Sequence, residues 1–223
     1  MSKTSKEAGR FSFLLSLAVT TSAAWASAQS PTPSEQRVKM HVRVYDYAHV
    51  PPKVLAKAEE QADMIFLEAG VEVTWENLSP PKDPSQGRPV SPHPADSAGI
   101  DLRMVRHFES TTRVLRYDAM GFAVPPDTVT ISLEWVDKLA SLGIAEGYQV
   151  LGGAMAHEIG HLFLGANSHS AVGITRAGWK EQGLTEASQA RLNFMPDQAV
   201  RIRAEVRHRQ EQQQTASAST PLK

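Results

Sequence analysis

Residues 155–170 read MAHEIGHLFLGANSHS, and their only titratable side chains are His157, Glu158, His161 and His169. In a helix, His157 and His161 are one turn apart on one face, the separation that two ligands of a single metal ion require. Glu158 falls about 100° further round the helix. There its carboxylate can reach a metal-held water without ligating the metal. HExxH is short enough to arise by chance as two surface histidines on an ordinary helix. The apolar character of the surrounding residues argues against that reading.

Gly165 is placed to stop this helix, because glycine takes the left-handed conformation at a terminus without steric cost. The chain can then turn back and bring a further side chain to the metal. His169 is the expected third ligand, since Asn167 is a poor zinc ligand beside an available imidazole. The alternative is a downstream carboxylate, Glu181 or Glu186; in WKEQGLTEASQARL a second helix from about Thr185 would put Glu186 in its first turn.

Upstream, residues 38–47 (VKMHVRVYDY) alternate apolar and polar positions and predict a strand. Residues 53–69 then carry Val54, Ala58, Ala62, Ile65, Phe66 and Ala69 close to a helical period, with Gly70 as the stop. Residues 71–75 alternate again. Strand, helix, strand is a βαβ unit with parallel strands and a right-handed crossover.

Residues 79–99 hold six prolines and read as an exposed loop, with His93 solvated. Further strands are expected at 100–108, 121–124 and 128–133, the middle one an edge because Pro125 and Pro126 bound it. Helices follow at 134–142 and, for the motif, at 148–164. The chain then reads as irregular to Glu186, and Asp197 is the expected N-cap of a last amphipathic helix. His41, His49, His107 and His208 lack ligand spacing and read as structural or solvated.

HEIGH, the glycine just after it and the downstream histidine resemble the metzincin clan of zinc endopeptidases, and the order of elements before the motif is similar too. The resemblance implies an α/β, metzincin-like (zincin) fold: a mixed, mainly parallel twisted sheet with an antiparallel edge strand, an active-site helix and a small C-terminal subdomain ending in a helix. It further implies a zinc metalloendopeptidase in which Zn2+ is held by His157, His161 and His169, with Glu158 as general base toward the attacking water. Gly121, Phe122 and Ala123 would form the edge strand that pairs with an extended peptide.

Two features depart from the clan pattern. Its usual spacing is HExxHxxGxxH, whereas this chain reads HExxHxxxGxxxH. The stretch SAVGITRAGW, similar to the HSxxGIMRAxW of secreted bacterial HEIGH-type metalloproteases, has Thr175 where a methionine beneath the metal is expected. Met195 is a candidate replacement. The alternatives to a peptidase are a non-catalytic zinc-binding periplasmic protein and a zinc amidase acting on cell-wall or small-molecule amides.

The 223 residues contain no cysteine, carry a formal charge of −1 and are 41% hydrophobic, as suits one globular domain. Absence of cysteine excludes disulfides and a thiolate-capped latent zinc site. Lys3, Lys6 and Arg10 precede an uncharged run and the small-x-small site Ala26-Ser27-Ala28, the order of a secretory signal peptide. The run from Phe11 to Trp25 is shorter than the roughly 20 residues of a spanning helix, so no membrane anchor is expected after cleavage. Loss of residues 1–28 removes those three bases and Glu7, leaving a charge of about −3, and nothing suggests a nucleic-acid partner. The expected organisation is a signal peptide at 1–28, a linker at 29–37, a peptidase domain at 38–208 with subdomains 38–165 and 166–208, and a disordered tail at 209–223. A secreted or periplasmic monomer acting on peptide or protein is expected.

Overall fold

The computed structural model describes residues 37–79, 93–108, 120–166 and 168–218. The signal peptide, most of the linker, Asn167 and the last five residues lie outside the described residues. Residues Glu35–Lys223 form one compact unit.

The expected βαβ unit is present as β1 (Val38–Asp46), α1 (Pro52–Glu68) and β2 (Val71–Leu78), with β1 and β2 parallel. β3 (Ala98–Val105) lies parallel on the other side of β1, β5 (Thr128–Ser132) parallel beside β3, and β4 (Gly121–Val124) antiparallel on β5. The order is β2-β1-β3-β5-β4, so the short strand bounded by prolines is an edge. This is the expected mixed α/β sheet, mainly parallel with an antiparallel edge.

Alternation along β1 sends Met40, Val42 and Val44 into the core beside Ile100, Leu102 and Met104 of β3. α2 (Leu133–Ala140) leads into α3 (Gly147–Leu164), in which every residue from 150 to 164 is buried. A helix apolar on all sides is a core helix rather than an amphipathic surface one. Its histidines are therefore carried on a helix that the core holds firmly. Gly152 allows the approach of α1, since a methyl there would strike the Ala58 carbonyl and the Gln61 side chain. Truncating Met155 or Ile159, both fully buried, to alanine would cost about 2–5 kcal/mol.

α4 (Glu181–Ser188) starts earlier than the Thr185 expected from sequence. α5 (Pro196–Ala218) starts at proline, and Met195 N–H donates to Gln198 Oε1 at 3.1 Å. Asp197 is thus not the N-cap but a first-turn residue, where its charge suits the helix dipole. The helix also continues through residues 209–218, which composition had placed in a disordered tail. Long-range bonds hold it: Arg209 donates to the Leu162 carbonyl at 2.8 Å and Gln210 to the Asp96 carbonyl at 2.6 Å.

His93 is not solvated. Its Nδ1 lies 2.9 Å from His41 Nδ1, and its Nε2 accepts from Arg43 Nε at 3.2 Å. Alternation puts His41 and Arg43 on the sheet face opposite the core, and the bare Cα of Gly99 leaves room for the His93 ring. No helix among the described residues is long and apolar enough to cross a membrane.

Candidate metal centre

α3 carries His157, Glu158 and His161 into the interior, and the segment after it carries His169. The three histidines converge: one nitrogen from each lies within 4.8 Å of the others. The ring centroids of His169 are 5.6 Å from His157 and 4.7 Å from His161. His157 and His161 are buried and His169 is exposed, so one side of the group faces solvent.

The turn that returns the chain is not the left-handed cap expected from sequence. Gly165 has φ 95° and ψ 158°, an extended conformation with positive φ that is nearly exclusive to glycine. Its N–H closes on the His161 carbonyl at 2.9 Å, and its own carbonyl accepts from His161 Nδ1 at 3.2 Å. Ser168 Oγ accepts from the same Nδ1 at 3.0 Å and donates to the Gly165 carbonyl at 2.7 Å.

His157 Nδ1 faces the Ile174 carbonyl at 2.7 Å, and a carbonyl only accepts. Both Nδ1 atoms therefore hold their protons, and both Nε2 atoms present lone pairs, at 3.0 Å from each other. Two such lone pairs repel unless a cation is shared between them. A tetrahedral ion with zinc–nitrogen bonds of about 2.0–2.1 Å sets its ligands about 3.3 Å apart, close to the separation seen. Burial, with the neighbouring His161 adding to it, drops His157 to about 4, and burial also lowers His161. Both are thus neutral ligands at neutral pH. Three imidazoles with a solvent-facing side fit a zinc ion that keeps an open position.

Neither alternative carboxylate belongs to this group. Glu186 accepts from Gln182 at 3.0 Å and lies 3.7 Å from Arg176, and Glu181 sits in the first turn of α4. Thr175 has no exposed surface and follows the residue whose carbonyl orients His157, whereas Met195 precedes α5.

Glu158 is buried, and burial pushes its carboxyl up to about 8 in the metal-free protein. Its Cγ lies under β4, against Gly121. Alternation turns Phe122 to the opposite face, where its ring packs on Phe108 at 5.2 Å. Of the three edge residues named from sequence, Gly121 lies against Glu158, and Ala123 shares its face by alternation. Sequence reasoning missed Trp179, which stacks edge-on to His157 with ring centroids 6.3 Å apart and fills the space left by Gly153. A tryptophan in the glycine-rich stretch after the motif was its one signal.

No family profile and no curated protein matches this chain. Among solved structures, it is similar to a zinc-dependent peptidase from Methanocorpusculum labreanum, with a TM-score of 0.49 and 16% identity over 72% of this chain and 99% of that one. It is also similar to archaemetzincin from Methanopyrus kandleri, with a TM-score of 0.47 and 12% identity over 78% of this chain and 97% of that one. What the site can do chemically follows from its own geometry.

Proposed function

We propose that this protein is a zinc-dependent peptidase, with His157, His161 and His169 as ligands and Glu158 as general base. The observation that carries the reading is the buried Glu158 carboxyl, next in sequence to one of three convergent imidazoles and directly beneath an edge strand. A purely structural zinc site has no need of an acid there.

When bound, zinc supplies a Lewis acid that makes water a better nucleophile and polarises a carbonyl. His157 and His161 meet it with neutral Nε2 atoms whose orientation the Ile174 and Gly165 carbonyls fix. Glu158 takes the proton of the attacking water and passes it to the leaving nitrogen. A nearby cation lowers its pKa from the metal-free value, which makes the carboxylate available as a base at neutral pH.

Among the described residues no strand pairs with the outer edge of β4, which can take an extended peptide, and its register beside Glu158 favours peptides over small amides. The reading includes export directed by residues 1–28 and action as a monomer on peptide or protein.

The test is Glu158→Gln in the zinc-loaded protein, assayed on a peptide library beside peptidoglycan fragments. Zinc should be retained while peptide cleavage falls by about 10²–10⁴-fold. Cleavage unchanged by the substitution would sink the assignment.

A further inference from the structure

Beside the three histidines runs a chain of hydrogen bonds, buried at its Gln198 end and open at its Val172 end, whose protons can all be assigned. Ser170 Oγ donates to the Val172 carbonyl, so toward Thr175 Oγ1, 2.7 Å away, it can only accept. Thr175 therefore donates to Ser170, and its own lone pair accepts from Gln198 Nε2 at 2.8 Å. The order is Gln198 to Thr175 to Ser170 to the Val172 carbonyl, each group giving one proton onward. In such a directed chain each bond polarises the next, most strongly at the buried link between Gln198 and Thr175.

Gln198 is anchored from α5: its Oε1 accepts from Met195 N–H at 3.1 Å, and its Nε2 also reaches the Ser168 carbonyl at 3.4 Å. Both Gln198 and Thr175 are buried. Polar groups in such a place cost stability unless fully paired, and an apolar pair of similar shape would fill the space at less risk.

The ends of this chain meet the outer contacts of the histidines. Ile174, next to Thr175, gives its carbonyl to His157 Nδ1, and its N–H is held by the Asn193 carbonyl at 2.9 Å. Ser168, whose carbonyl Gln198 contacts, accepts with its Oγ from His161 Nδ1. Ser168 and Ser170 flank His169 in sequence, and Ser170 N–H is tied back to the Thr175 carbonyl at 3.2 Å. One hydroxyl and one amide thus fix the backbone on which all three imidazoles depend.

From this we infer that Thr175 and Gln198 are positioning residues for the metal centre: their hydrogen bond clamps the 165–176 loop to α5 and sets the three histidines at ligand spacing. The inference rests on the zinc reading above.

The experiment compares wild type with Thr175→Val, which keeps the shape and removes the hydroxyl, and Thr175→Ser, which keeps the hydroxyl. Gln198→Met removes the donor from the other end and serves if the valine variant does not fold. Zinc affinity is measured by competition with a chromophoric chelator, the visible spectrum is recorded with cobalt in place of zinc, and melting is followed in excess chelator. Thr175→Val and Gln198→Met should each lose about 10–100-fold in zinc affinity, the range for residues that orient ligands, with Thr175→Ser within about threefold of wild type. The cobalt bands should weaken or shift in the first two variants and not in the third. Wild-type affinity in the valine or methionine variant would overturn the inference, as would a serine variant as weak as the valine one, since packing rather than the hydroxyl would then matter. Failure of the wild-type chain to take up zinc would instead overturn the zinc reading, and the inference with it.

Discussion

Gly121 of the edge strand lies directly against Glu158: a methyl group at position 121 would sit 2.7 Å from Glu158 Cγ and 2.6 Å from the Thr130 carbonyl oxygen. The carbonyl belongs to the paired strand and cannot yield without breaking the β4–β5 register. Glu158 is the softer neighbour, so it moves first. Gly121→Ala is expected to keep zinc at full stoichiometry while kcat/KM on a peptide falls on the order of 10²-fold, the effect of displacing a reacting group by about 1 Å. Wild-type kcat/KM in the alanine variant would show that Glu158 does not depend on this contact.

The choice of third ligand is tested by zinc titration of His169→Ala, Glu181→Ala and Glu186→Ala. His169 converges with His157 and His161, whereas Glu186 is engaged with Gln182 and Arg176. His169→Ala should weaken zinc by more than about 100-fold, beyond what loss of a merely orienting residue costs. The two glutamate variants should bind as wild type. Full affinity in the His169 variant would reverse the assignment.

Gly165 combines a φ that other residues rarely adopt with a carbonyl that orients His161. An added methyl meets nothing within 4 Å, so the cost of Gly165→Ala is backbone strain of about 1–3 kcal/mol. Melting of the metal-free protein should fall by roughly 2–12 °C for a domain of this size. Relief of the strain by rotation would pull the carbonyl off His161, so zinc affinity should fall as well. A variant that melts and binds as wild type would mean that the turn tolerates an ordinary residue.

The parts of this fold that sequence made legible are those written in local periodicity. The alternation in β1, the helical period of α1 with Gly70 after it, and the proline-bounded β4 each carry their signal within a few residues. His157 and His161 were legible for the same reason, because four residues of helix fix their relation. Long-range contact decides the rest. His93 is half-buried because β1 and β3 align His41, Arg43 and Gly99 beneath it. Residues 209–218 are helical because Arg209 and Gln210 find carbonyls far away in the chain. Gln198 reads as an ordinary polar position on an amphipathic helix until the 165–176 loop is folded over it.

Glu158 also marks the metal-free protein with a pH signature. Burial raises its folded-state pKa from 4.5 to about 8, so its contribution to stability is fully present below pH 4.5 and is lost as pH rises toward 8. The loss accrues on the order of 1.4 kcal/mol per pH unit within that window. His157 acts in the opposite sense. Its pKa falls from 6.5 to about 4, so its contribution is present above pH 6.5 and lost as pH falls through 4. Glu158→Gln removes the first effect and keeps the second, which therefore cancels in the difference between the two proteins. In excess chelator, urea unfolding should find the glutamine variant gaining on wild type as pH rises from 4.5 to 8, with the difference constant above 8. A difference independent of pH across that window would mean that the carboxyl is not buried as described.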